Sequence, residues 1–132
     1  MMKDSIVNYI EEKHAAAPEY PWRPLNDHMV FRNKASGKWF AVIIEDLPCE
    51  KLGITGDSHV TILNLKCDPL TAFSVIDNGS IFKAYHMNKH HWISVLLNEK
   101  TDVEKIALLI DISYHLVDEK ENKRAKKRKK QC

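Results

Sequence analysis

Apolar positions recur at Ile6, Tyr9, Ile10 and the aliphatic stem of Lys13, a spacing that predicts an amphipathic helix over 4–16 capped by Asp4 or Ser5. The segment PEYPWRP at 18–24 ends that helix, because each proline pushes its predecessor out of the α region. Its rings, Tyr20 and Trp22, are expected on the edge of the core, with Arg23 exposed. Strand-like runs follow at 28–32 and 38–45, separated by the polar loop NKASG, and together they predict a first hairpin. The run Trp39, Phe40 and Val42 to Ile44 belongs centrally in a sheet. LPCEKLGITGD reads as a connection, and 60–67 as a third strand.

Asp68-Pro69 starts the second helix, with Asp68 as N-cap and Pro69 at the first helical position, where its missing N–H costs nothing. Leu70, Phe73 and Ile76 are expected to face the core, and Asn78-Gly79 to stop the helix. Thr101 and Glu104 have the spacing of a capping box for a last helix. There Val103, Ile106, Ala107, Ile110 and Tyr114 recur on one side, widened by Leu109, Ile112 and Leu116. The order is α-β-β-β-α-β-β-α. Short loops imply antiparallel pairing, so the expected fold is α+β, two layers, with helices packed on a five-stranded antiparallel sheet.

The densest chemistry lies in KAYHMNKHHWISVLL, residues 83–97. Asn tolerates positive φ, so Asn88-Lys89 predicts a two-residue hairpin turn. That register pairs Met87 with His90, His86 with His91, Tyr85 with Trp92 and Ala84 with Ile93. One face then carries Phe82, Ala84, Ile93, Val95 and Leu97 as core. The other carries Lys83, Tyr85, Met87, His90, Trp92 and Ser94 within reach of a partner. A three-residue turn would exchange the faces of one strand.

Length and charge sharpen this picture. The 132 residues suit one domain over 1–118, and no apolar run approaches the roughly 18 residues of a membrane span. The charged N-terminus does not resemble a signal peptide. Cys49, Cys67 and Cys132 have no CxxC spacing, which fits a reducing cytoplasm better than a disulfide or zinc scaffold. The net charge of +2 conceals a tail, 119–132, with eight Lys/Arg against two Glu, while the body has twelve against sixteen. The tail has no apolar stripe, so it is expected to be disordered or a frayed helical extension.

Four motifs, PEYPW, KWFAVII, LNLKCDP and AYHMNKHHWISVLL, occur in the order that resembles the YjbR/MmcQ family of small bacterial proteins, over roughly 5–117. The resemblance implies a CyaY-like or secretion-chaperone-like fold and a DNA-binding role, with neither catalytic residues nor a cofactor. The tail goes beyond the family's usual end, so its role is not inherited.

For nucleic acid, Lys83 and Lys89 would meet phosphates, Tyr85 and Trp92 would stack on bases or sugars, and Asn88 and His90 sit at the tip. Arg32, Lys34 and Lys38 in or beside the NKASG loop would add cations, as would Lys123, Arg124, Lys126, Lys127, Arg128, Lys129 and Lys130 of the tail. The competing reading buries both rings and leaves the polar residues to a turn. His86 and His91 share a face and His90 does not, which is too few ligands for zinc, so no metal is expected. Neither Cys49 nor Ser94 has a nucleophile motif around it, the adjacent Glu45 and Asp46 would diverge along a strand, and Gly53 and Gly56 are too isolated for a phosphate loop. The expectation is a cytoplasmic, non-catalytic module without cofactor or membrane partner that binds nucleic acid weakly. A protein-interaction or chaperone-like adaptor is the alternative from another class, and a small-molecule enzyme ranks third.

Overall fold

A computed structural model of the protein describes residues 2–56 and 58–118. The elements follow the expected order: α1 (Met2–His14), β1 (Met29–Arg32), β2 (Trp39–Pro48), a 3-10 turn (Cys49–Leu52), β3 (His59–Lys66), α2 (Pro69–Val75), β4 (Ile81–Lys83), β5 (Trp92–Leu97) and α3 (Val103–Leu116). All strands pair antiparallel in one sheet of order β1-β2-β3-β5-β4. The fold is α+β, as the hydrophobic pattern predicts.

The sheet is buried on both faces, which is why β2 and β5 read as continuous apolar runs rather than alternations. On one face Ile6 and Ile10 of α1, Ala72 of α2, and Ile106, Leu109 and Ile110 of α3 pack on Phe40, Ile43, Leu63, Leu65, Ile93 and Val95. Phe31 and Phe40 are fully buried, each contributing about 1.5–3 kcal/mol of transfer free energy. On the other face Val30, Val42, Ile44, Leu47, Ile62, Phe82, Trp92 and Leu96 form a second cluster. Its partial cover comes from connections instead of helices: Leu52 and Ile54 after β2, and Tyr85 and Met87 after β4. A bulge in β2 between Ile44 and Leu47, with Asp46 at φ 56°, returns Leu47 to the side of Ile44.

Three helix details differ from expectation. In α1 the buried stripe runs Ile6, Ile10, His14, and Lys13 stays exposed. The His14 ring stacks on Tyr114 at 4.2 Å and its Nε2 lies 2.8 Å from Asp111, which also accepts from the Tyr9 hydroxyl at 2.8 Å, so a polar cluster ties α1 to α3. In α2 Asp68 caps as predicted, accepting from Thr71 N at 2.8 Å. Ile76 docks as expected, but Leu70 and Phe73 are exposed, and Ala72 and Val75 dock in their place. The helix is seven residues long, and two turns hold two plausible apolar stripes. In α3 the N-cap is Asp102, which accepts from Lys105 N at 3.2 Å. Thr101 turns back, donating to Leu96 O at 3.0 Å and accepting from Asn98 N at 2.8 Å. Val103 and Ile112 are exposed rather than part of the buried stripe.

Candidate functional site

The β4–β5 connection is longer than a two-residue turn. Lys83 pairs with Ile93 and Ile81 with Val95, a register one residue away from the predicted one, and 84–91 lie outside the ladder. Asn88 does close the turn, but as a wider one: its Oδ1 accepts from His90 N at 2.9 Å and its carbonyl from His91 N at 3.1 Å. The cross-strand pairs expected from Ala84–Ile93 to Met87–His90 therefore do not form. The faces of β4 exchange: Ile81 joins the helix-side core, and Phe82 and Ala84 join Trp92 on the other side.

Trp92 is 7 % exposed and packs within the second cluster. Its ring is not available for base stacking. Tyr85 is half-buried, while Lys83, Asn88, Lys89 and His90 are exposed. Tyr85 is held by a buried polar network. Ser94 Oγ donates to Asn64 Oδ1 at 2.5 Å and accepts from Tyr85 N at 2.9 Å, while Asn64 Nδ2 donates to Tyr85 O at 3.0 Å. Asn64 and Ser94 are fully buried, so both strands anchor the start of the connection without an unsatisfied polar atom. His86 follows at φ 59°, its ring 4.0 Å from that of Tyr85. These two side chains line two hollows and form a ridge between them.

A hollow lies on each side of that ridge. Toward β4 is a cleft of about 360 Å³ whose walls include Lys51, Lys83 and Lys89, with Asn78, Phe82 and Leu52. Among the described residues, no carboxylate lines it. Toward β2 is a more apolar cavity of about 490 Å³, lined by Trp22, Val42, Ile44, Leu47 and Met87, with Asn26, His28, Glu45 and Asp46 on its polar side. Tyr85 and His86 belong to both. Burial lowers the His28 pKa below its usual 6.5. Its Nδ1 accepts from Glu45 N at 3.4 Å, which puts the proton of the neutral ring on Nε2. Glu45 is ion-paired with Lys3, and Asp46 lies 2.8 Å from His59. Trp22 is pinned edge-on to Trp39 at 5.8 Å and to His28 at 6.2 Å, as its place in the proline-rich linker suggests.

The cations of the first hairpin are elsewhere. Arg32 is bound to Glu19 at 2.9 Å and to Gly37 O at 3.2 Å, and Lys34 and Lys38 are exposed in its loop. This loop and the 84–91 connection share one end of the sheet with β3 between them. The midlines of the two hairpins are three strand spacings apart, about 14 Å. Arg32, Lys34 and Lys38 line neither hollow. Lys51 and Asn78 take part instead, both invisible to local sequence reading because they come from connections that meet only in the folded chain. Lys123, Arg124, Lys126, Lys127, Arg128, Lys129 and Lys130 lie outside the described residues.

Three potential nucleophiles among the described residues are buried or hydrogen-bonded. Burial drives the Cys67 thiol up to about 11, Cys49 Sγ donates to Gly56 O at 3.1 Å, and Ser94 is committed to Asn64. Among the described residues, no group of three or more His, Cys, Asp or Glu could hold a metal ion.

A family model described as YjbR matches residues 11–116. The protein YyaQ of Bacillus subtilis (strain 168) is 38 % identical over 117 residues, covering 88 % of this chain and 98 % of its own. The crystal structure of a Pseudomonas syringae protein superposes with a TM-score of 0.82 at 38 % identity, over 89 % of this chain and 99 % of that one. The Deinococcus radiodurans protein DR2400, in its DUF419 domain, gives a TM-score of 0.65 at 25 % identity, over 88 % of this chain and 78 % of that one.

Proposed function

The chain belongs to the YjbR family, and from that premise we propose that it is a non-catalytic cytoplasmic module that binds nucleic acid weakly through the lysine cleft beside the 84–91 connection. The observation that carries this reading is the convergence of Lys51, Lys83 and Lys89 on one cleft that no carboxylate among the described residues lines. Three lysines lining one cleft, on a body whose overall charge is acidic, make a local anion site that gross charge does not reveal. Phosphates are the anions that nucleic acid offers at regular spacing, and such contacts position the chain without reading sequence. The basic tail 119–132 adds long-range attraction. Asn88 and His90, exposed at the rim of the connection, supply hydrogen-bonding groups. No helix among the described residues is long and apolar enough to cross a membrane.

The test compares duplex DNA binding at low salt by the intact chain, a chain ending at Asp118, and Lys51→Ala/Lys83→Ala/Lys89→Ala. Weakening by both changes supports the proposal. Loss on truncation alone assigns all binding to the tail and removes the cleft from the account.

One observation favours a second reading. Leu70 and Phe73, one helical turn apart on α2, are 75 % and 85 % exposed, a pairing that suits a protein-interaction or chaperone-like adaptor. Absence of binding to any nucleic acid, together with a protein partner lost on Leu70→Ser/Phe73→Ser, would favour it.

A further inference from the structure

The ridge of Tyr85 and His86 separates two hollows of different chemistry, one cationic and one apolar with aromatic walls. A nucleotide has the same division: an anionic phosphate joined through a sugar to a flat apolar ring. We propose that the cavity beside β2 receives an unstacked base of a single-stranded nucleic acid whose adjoining phosphate lies on Lys51, Lys83 and Lys89. This rests on the lysine-cleft reading of the proposed function and adds to it the strandedness of the ligand.

Size, surface and polarity each support it. The volume of about 490 Å³ is within the range of small-ligand pockets and exceeds what one base needs. Trp22 and Tyr85 provide π faces, and Val42 and Ile44 an apolar floor. Every base has a π face, so such a site is tolerant of sequence. The lysines line the cleft and not the cavity, where Glu45 and Asp46 are engaged by Lys3 and His59, so an anion is drawn to the cleft. His28, neutral through burial, adds a ring N–H donor without a charge. A base within an intact duplex is stacked on both sides and cannot enter a cavity beside a folded loop. Tyr85 is shared by both hollows and its backbone is clamped by Asn64 and Ser94, so its position between them is fixed before a ligand arrives.

The experiment measures fluorescence anisotropy of labelled 12-nucleotide probes with the full chain at low salt. The probes are a single strand, the same sequence as duplex, and an abasic strand of equal length that retains every phosphate. The single strand is expected to bind about tenfold or more tightly than the abasic strand, the scale of one stacked base. Trp22→Ala, which lines the cavity and not the cleft, should remove most of that difference and leave abasic and duplex binding unchanged, and Tyr85→Ala should also remove most of it. Trp22 is peripheral, at 36 % exposure, so its variant remains informative if Tyr85→Ala does not fold. Equal affinity for base-bearing and abasic strands, or a preference that survives Trp22→Ala, overturns the base-in-cavity proposal. If all three probes still bind, and binding weakens in the triple lysine variant, the lysine-cleft reading stands without it. No binding of any probe overturns both.

Discussion

Ser94 Oγ lies 2.5 Å from Asn64 Oδ1 on the neighbouring strand, and together the two side chains take both backbone polar groups of Tyr85. Two fully buried polar residues on adjacent strands are thereby used to fix one loop residue at the boundary between the hollows. Ser94→Ala leaves Tyr85 N and one side of Asn64 unpaired in the interior. The expected cost is about 1–3 kcal/mol. Urea unfolding should show a lower midpoint with an unchanged m-value, and amide exchange should accelerate over 84–91 before it does in β3.

Trp92 serves the core. Its exposure of 7 % places it among Phe82, Ala84 and Leu96, so Trp92→Ala should destabilise the fold by about 3–5 kcal/mol. Trp92→Phe, which keeps most of the packing, should leave nucleic-acid affinity within twofold of the parent. A large, selective loss of affinity in a stable Trp92→Phe protein would contradict this role.

Stability should fall on mild acidification. Burial lowers the pKa of both His14 and His28 below 6.5, against the opposing pull of Asp111 on His14 and of Glu45 on His28. The unfolded chain then binds protons more readily than the folded one as pH drops. The stabilisation is complete above pH 6.5, is lost as pH falls through that value, and stops changing below the folded-state pKa values. Denaturant midpoints between pH 7.5 and 5.0 should decline, and His28→Gln should flatten the decline. The carboxylates of Asp68 and Asp77, lowered by backbone hydrogen bonds at Thr71 and at Ile81, Ser80 and Gly79, lose their contribution only at lower pH, below about 3.8.

The polar cluster joining α1 and α3 gives a further expectation. Tyr9 donates to both oxygens of Asp111, at 2.8 and 2.9 Å, and burial with that carboxylate pushes its hydroxyl up to about 12. Tyr9→Phe keeps the ring and removes the donor. Asp111 remains partly solvated and retains His14, so the loss should be about 1 kcal/mol. Thermal unfolding at pH 7.5 checks it.

Element order was legible because each segment carries its own period: the i, i+4 recurrence of Ile6 and Ile10, the Asp68-Pro69 start, the apolar runs of β2 and β5. The β4–β5 connection was not. Asn88 fits both a tight hairpin and a wider turn that its own side chain closes by accepting from His90 N, and a one-residue difference in register decides which face Phe82 and Ala84 occupy. The stripe of α2 was ambiguous for a similar reason, since Leu70 and Phe73 compete with Ala72 and Val75 within two turns. Within the candidate site, Lys83 and Lys89 were readable as exposed cations beside a turn. Lys51 was not, because it joins them only after the β2–β3 connection folds over the second face. Arg32 failed as a free cation because Glu19, brought alongside by the Glu19–Val30 bridge, pairs with it.

The proposed binding at the cleft requires Lys51, Lys83 and Lys89 to act together. The direct measurement is the salt dependence of duplex DNA affinity for the full chain and for Lys51→Ala/Lys83→Ala/Lys89→Ala, both confirmed as folded. Removing three phosphate contacts should make the slope of log K against log salt shallower by about 3. A triple variant with the parent's slope and affinity would contradict the lysine cleft as the contact surface.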